Sequence, residues 1–171
     1  MVQMGVDNLK NNLTNPQRLY LWEFQCMNPI GGGDGETLML RCQTSEWPGQ
    51  SFGQIHIPYK QSGGIEVPGK LTYDHILETT MIEGEDGVVH AAIMAWMQKI
   101  VHNKTNVGVG DSLIKTDVYI RLLSTAGEET KKIKLTGCFP LVKAKVPVSY
   151  DDEGNMLYPI SWSYDRWEDA N

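Results

Sequence analysis

Apolar and polar residues alternate along much of the chain, and that alternation defines most of its elements. Leu19 to Met27 (LYLWEFQCM) is rich in aromatic and apolar residues and reads as a strand. Thr37 to Gln43 sets Leu38, Leu40 and Cys42 against Thr37, Met39, Arg41 and Gln43, the pattern of a half-buried strand. Gln54 to Lys60 and Ile65 to Pro68 flank Gln61-Ser62-Gly63-Gly64 and predict an extended hairpin over 54–68. Pro58 and Pro68 remove ladder donors, so this hairpin belongs at a sheet edge or reaches outward. Lys70 to Met81 alternates throughout, with Leu71, Tyr73, His75, Leu77, Thr79 and Met81 on one face. Lys70, Thr72, Asp74, Ile76, Glu78 and Thr80 form the other.

One stretch changes period. Val89, Ala92, Ile93, Trp96, Met97 and Ile100 recur at the spacing of a buried helical stripe, which predicts a helix over about 86–102. Asp86 is its expected N-cap, with Glu83 and Glu85 near the positive end. Strands follow at Leu113 to Leu123 and Thr130 to Phe139, the latter expected to break at Pro140. Lys145 to Tyr150 and Met156 to Trp167 are expected to pair across the acidic turn 151–155. The first 18 residues read as an arm or a short helix over Val6 to Leu13. No linker, low-complexity tract or repeat divides the chain. Strands, one helix and further strands over 1–171 predict a single, mainly β domain: a two-sheet antiparallel sandwich or barrel with one flanking α-helix. Its core is expected to include Ile93, Trp96, Met97, Ile133, Leu135 and Trp162.

Composition narrows the function. With 171 residues there is room for a proper core. The formal net charge of −6 argues against a nucleic-acid clamp, whose affinity comes from cations on phosphates. Cys26, Cys42 and Cys138 are too few and too scattered for a disulfide framework and read as reduced core residues. The start of the chain lacks the pattern of a secretory signal, and the longest apolar run, Ala91 to Met97, is too short for a membrane anchor.

Candidate chemistry is missing where it would be recognisable. His56, His75, His90 and His102 occur in no HExxH arrangement, and there is no CxxC, so no metal site is expected. No GxSxG elbow marks a nucleophile. Gly31-Gly32-Gly33-Asp34-Gly35 lacks the Lys-Ser/Thr pair of a phosphate loop, and the glycines of 107–111 follow a helix rather than a strand. Carboxylates gather at Glu83-Glu85-Asp86 and Asp151-Asp152-Glu153, at a helix start and a turn where acids are expected anyway. No catalytic, cofactor-binding or metal residue is therefore assigned, and an enzyme is not expected. A different class, a β-sandwich ligand-binding module, would place Trp47, Trp162 or Trp167 in an exposed cleft.

Several segments, taken in order, resemble the tail-tube proteins of contractile phages of the T4 type. They are Leu38 to Gly49 (LMLRCQTSEWPG), Gln54 to Gly69 (QIHIPYKQSGGIEVPG), Leu71 to Met81 with the helix carrying Ala95-Trp96-Met97-Gln98, Ile133 to Pro140 (IKLTGCFP), and Val146 to Glu168. The Gly-x-aromatic-Pro shape of the fourth is the most specific. The resemblance covers about residues 19–168 and departs from the T4-type pattern in the first 18 residues and in the loop 28–36. It implies a β barrel with one helix, shared with secretion-system and bacteriocin tubes. It further implies six-membered rings stacked into a hollow tube inside a contractile sheath, and a baseplate initiator and tail terminator at the tube ends. Double-stranded DNA would pass through the lumen without specific binding, in a virion tail assembled in the host cytoplasm. A tube subunit of a type VI secretion system or phage-tail-like particle is the alternative.

Two surfaces are expected to serve such a role. Ile55, Ile57, Tyr59, Ile65 and Val67 make the hairpin too apolar to stand in solvent, so it is expected at a subunit contact. Lys70, Thr72, Asp74, Glu78 and Thr80 form a polar strand face that could line a water-filled lumen.

Overall fold

A computed structural model describes residues 6, 13, 15–27, 34–60, 63–101, 108, 110, 113–151 and 153–170. In chain order these form β1 (Trp22–Cys26), α1 (Asp34–Arg41), β2 (Cys42–Ser45), β3 (Gln50–Pro58), β4 (Gly64–Tyr73) and β5 (Ile76–Ile82). Then come α2 (Val88–Ile100), β6 (Thr116–Leu123), β7 (Glu129–Lys143), β8 (Leu157–Ser163) and β9 (Arg166–Asp169). Most of the expected helix over Val6–Leu13, most of the Gly-rich loop 28–36, most of the loop 103–111, His102 and Asp152 lie outside the described residues.

A seven-stranded antiparallel sheet runs in the order β1-β6-β7-β8-β5-β2, with β9 also on β7. Strand β7 belongs to two halves. Its Glu129–Cys138 stretch pairs with β6, and Ile133–Thr136 also with β9, while Phe139–Lys143 pairs with β8. The turn between halves falls at Gly137, at φ +72°, a conformation that glycine adopts readily and L-residues do not. A β-carbon there would overlap the Asp165 carboxylate, which sits over the bend and holds Lys115 Nζ at 3.1 Å. The bend turns the inner faces of both halves toward one core, giving the expected two-sheet antiparallel architecture.

Each half contributes its alternate residues to that core. Phe24, Cys26, Val118, Ile120, Ile133 and Leu135 come from one; Leu77, Thr79, Met81, Tyr158, Ile160 and Trp162 come from the other. Helix α2 closes it with Val89, Ala92, Ile93 and Trp96. Trp96 and Trp162 meet edge to face, 5.5 Å between ring centroids, a favoured aromatic geometry. Their ring nitrogens are satisfied inside: Trp96 Nε1 donates to the Ile114 carbonyl at 2.7 Å, and Trp162 Nε1 to Thr79 Oγ1 at 2.8 Å. The expected core residues are buried, except that Met97 packs half-buried at its edge.

Four expectations change. Thr37–Gln43 is not one strand: residues 34–41 are helix α1, with Leu38 buried and Leu40 80% exposed, and strand β2 begins only at Cys42. Pro140 does not end its strand. Among the described residues β7 beyond the bend is an edge with β8 on one side only and with a register shift next to Pro140, the settings in which a sheet tolerates proline. Lys145–Tyr150 forms no strand, and β8 pairs with β7 and β5 instead. The alternating stretch 70–81 is two strands, divided at Asp74-His75, where His75 takes a φ of +60°.

The helix cap also differs in detail. Gly87, not Asp86, takes the N-cap position, and the Glu83 carboxylate accepts from the backbone N–H groups of Val89 and His90 at 3.2 and 2.7 Å. Arg41 ties this cap to α1, reaching Glu83 at 3.3 Å and gripping Asp86 with both guanidinium nitrogens at 2.8 and 2.5 Å. That grip, aided by the Val88 N–H, holds the Asp86 carboxyl down at about 2, below its ordinary 3.8.

Two measurements check these joints. Gly137→Ala should lower stability in urea by at least ~1–2 kcal/mol, because an L-residue is placed in a left-handed conformation. Adding Asp165→Ala should recover only the part due to overlap. Unchanged stability in Gly137→Ala would show that the bend does not depend on glycine. Asp86, with a depressed carboxyl, contributes stability that is present above pH ~4 and is lost as pH falls toward ~2. Asp86→Asn should therefore make the fall in urea midpoint between those pH values shallower, and an equally steep fall would contradict the role given to the Arg41 grip.

Candidate assembly surfaces

Among the described residues, strands β3 and β4 pair with each other and with no other strand. The expected hairpin is thus longer than 54–68, spanning 50–73, and forms a sheet of its own that leaves the body. Every residue of β3 is exposed. The register sets Ile55 opposite Val67 and Ile57 opposite Ile65, so these four share one face. Ile55, Ile57 and Ile65 are 54%, 47% and 63% exposed, Tyr59 is exposed beside them, and Val67 is half-buried. The other face carries the His56–Glu66 contact at 2.7 Å. An isolated two-stranded hairpin is marginal in water. This one presents aliphatic residues to solvent along its length, with Phe52 also exposed near the bulge that precedes Gln54.

The division at Asp74-His75 also divides the expected polar face. Lys70 and Thr72 lie on the hairpin, Asp74 at the kink, and Glu78 and Thr80 on β5 in the main sheet. Lys70, Thr72, Asp74 and Glu78 are exposed, and Thr80 is half-buried. On β5 the outer face continues into β8, where Ser161 lies opposite Glu78 and donates to its carboxylate at 3.0 Å. Glu78 and Thr80 therefore sit on one continuous face, whereas Lys70 and Thr72 belong to another body.

The outer face of the other half was not singled out from the sequence. Glu23 pairs with Arg121, Asp117 with Lys134 at 2.8 Å, and Tyr119 lies between Lys132 and Lys134, 4.7 and 6.0 Å from its ring centroid. The signal was present in the alternation of 117–121 and 131–134, whose polar positions are almost all charged.

A shallow groove of about 380 Å³ lies between β1, the turn after β2 and β6, walled by Leu19, Trp22, Trp47, Ile120 and Leu122. Trp47 reaches it with Lys131 Nζ 5.6 Å from its ring. Of the three tryptophans a ligand-binding module would expose, Trp162 is fully buried and Trp167 is half-buried, donating to the Gly49 carbonyl at 3.2 Å. Only Trp47 stands at a groove.

Nucleophile chemistry finds no support in the cysteines. Burial pushes the Cys42 and Cys138 thiols up to about 12 and Cys26 higher still, so all three stay protonated. Among the described residues no three His, Cys, Asp or Glu side chains gather as metal ligands. No helix among them is long and apolar enough to cross a membrane.

The sequence profile of the family described as phage tail tube protein matches residues 12–170. The chain belongs to that family. No protein of curated function matches it. Its fold is similar to a chain of the sheath–tube complex of an extracellular contractile injection system in its extended state, with TM-score 0.65 and 14% identity over 98% of this chain and 99% of that one. It is likewise similar to the tube-terminating cap of the anti-feeding prophage, with TM-score 0.65 and 14% identity over 91% of each chain. A chain of the anti-feeding prophage baseplate gives TM-score 0.62 and 9% identity over 91% of this chain and 96% of that one. The tube protein is thus a structural component of a phage-type tail, built on a fold found along such machines.

Proposed function

We propose that six copies of this tube protein close into a ring and that rings stack into the hollow inner tube of a contractile tail. The observation that carries this reading is the exposed aliphatic face of the β3–β4 hairpin, with Ile55, Ile57, Tyr59, Ile65 and Val67 as subunit contacts. Burial of such a face against a neighbour gains hydrophobic free energy, and a contact between unlike patches propagates into rings and stacks. The sheath covers the outside, a baseplate initiator starts the tube, and a terminator ends it. Assembly takes place in the cytoplasm of the host bacterium, and the product is carried in the virion tail.

Double-stranded DNA passes through the lumen without being held. A net charge of −6 suits that task, since acidic or neutral walls do not grip phosphates. Glu78 and Thr80 are the lumen candidates that share a continuous sheet face; Lys70, Thr72 and Asp74 reach it only where the hairpin does. The protein acts as a conduit and not as an enzyme. A second reading, the tube of a secretion system or a headless phage-tail-like particle, is supported by the likeness to injection-system chains. The presence of a DNA-filled head on the native particle separates the two.

Ile57→Asp should leave a folded subunit, because Ile57 lies outside the core, yet abolish tube formation. Circular dichroism reads the first and negative-stain microscopy of initiator-seeded assemblies the second. Normal tubes from Ile57→Asp would remove the hairpin from the contact.

A further inference from the structure

The hairpin holds its direction without help from the main sheet. Among the described residues β3 and β4 have no strand partner in the body. Two short connections join them to it, 46–49 on entry and Asp74-His75 on exit. Nine residues of β3 at 3.3–3.4 Å each make a lever of about 30 Å. A rotation of about 10° at its root carries the tip about 5 Å, so the root decides where the aliphatic face lies.

One side chain touches both connections. On the entry side, Trp167 Nε1 donates to the Gly49 carbonyl at 3.2 Å. On the exit side, the Trp167 ring meets Tyr73, the last residue of β4, edge to face, 6.4 Å between centroids and 75° between planes. Tyr73 meets His75 in the same manner, at 6.1 Å and 69°. His75 in turn is fixed by Tyr164. Its carbonyl accepts from the Tyr164 N–H at 3.1 Å, and its Nδ1 lies 3.0 Å from the Tyr164 carbonyl. A carbonyl only accepts, so Nδ1 carries the proton there. These two bonds hold His75 at its φ of +60°, where the chain turns from the hairpin into β5. The two connections lie side by side: a β-carbon on Gly49 would stand 3.7 Å from Asp74 Oδ2.

The segment that grips the root is itself fixed in the body. Trp167 lies opposite Leu135 in the β9–β7 pair, and Tyr164 is buried. Between them the Asp165 N–H donates to the Thr136 carbonyl at 2.9 Å, next to the Gly137 bend. The direction of the hairpin is thereby referred to the corner of the main sheet.

We propose that Trp167 is a positioning residue: with His75 it sets the angle at which the β3–β4 hairpin leaves the body and so presets the hairpin for assembly. The angle is a property of one subunit, and its bearing on assembly rests on the tube reading. A hairpin already aimed loses less freedom on docking, so ordering it offsets less of the free energy of burial.

Spin labels on Tyr59→Cys, near the tip, and Gln98→Cys, on α2, read the angle in the full chain by pulsed electron paramagnetic resonance. Gln98→Cys with Glu128→Cys, in the turn between β6 and β7, gives a reference distance within the body. The native cysteines are buried or half-buried and stay protonated, so the wild-type chain should take up no label and serves as the blank. With Trp167 in place the tip distance should be narrow. Trp167→Ala should broaden or shift it by about 5 Å or more and leave the reference distance unchanged. Trp167→Phe, which keeps a ring and removes the N–H to Gly49, should fall between. If Trp167→Ala disturbs the reference distance, Trp167→Phe alone decides. A tip distance unchanged by the substitutions, or already as broad with Trp167 in place, overturns the positioning role. In initiator-seeded assembly, unlabelled Trp167→Phe should need roughly tenfold more subunit than the wild-type chain to form tubes. Equal requirements overturn the link to assembly and leave the angle standing. Failure of the wild-type chain to form tubes with its initiator overturns the tube reading, while the spin-label distances still decide the angle.

Discussion

The architecture depends on how one strand turns a corner. Strand β7 begins among β6 and β9, bends at Gly137 and ends beside β8. Without that bend the two half-sheets would be a flat ribbon with two faces in water. With it, their inner faces enclose one core, and α2 needs only to close the open side. The corner is held by local chemistry. Gly137 supplies a left-handed conformation, Asp165 covers the space a side chain would fill, and Lys115 fixes Asp165 from a neighbouring segment. The return of the chain at Tyr164 is bound to the opposite corner, where its N–H donates to the His75 carbonyl at 3.1 Å. The two bends of the molecule, at Gly137 and at His75, are thereby tied together.

A body closed in this way has no use for the hairpin. Among the described residues of strands β3 and β4 Tyr73 alone packs against the core, and the aliphatic face of the hairpin meets solvent. In a monomer that arrangement is a liability, since unpaired edges and apolar patches invite aggregation. In the proposed tube the same face would be covered by a neighbouring copy. The same reasoning separates the surfaces by kind: a salt-bridged outer face on β1-β6-β7-β9, a polar face on β5-β8, and an apolar projection with an apolar groove at its base.

Much of this was legible from periodicity, and the failures have physical causes. β5, β8 and α2 bury alternate or helical-spaced residues cleanly, and a sequence pattern carries that directly. Leu38, Leu40 and Cys42 alternate as in a strand, yet residues 34–41 are helix and the strand starts at Cys42; in so short a stretch periodicity does not separate the two, and Leu38 is the residue of the helix that is buried. Pro140 looked like a breaker because sequence does not reveal which side of a strand lacks a partner. The kink at Asp74-His75 was hidden since both strands it joins keep the same alternation, which merged two bodies into one polar face. The hairpin was visible as an apolar segment bounded by Gly and Pro. The groove was not, because Leu19, Trp47 and Leu122 are brought together only by the fold.

The central claim is that the hairpin is buried by a neighbouring copy in a six-membered ring. Cryo-electron microscopy of the native particle's tail tests it most directly. The account predicts a hollow tube of stacked six-fold rings in which density for residues 50–73 lies against an adjacent subunit and Ile55, Ile57 and Ile65 are out of contact with water. A tube whose hairpins project freely into solvent, or a tail whose inner tube lacks this chain, would contradict it.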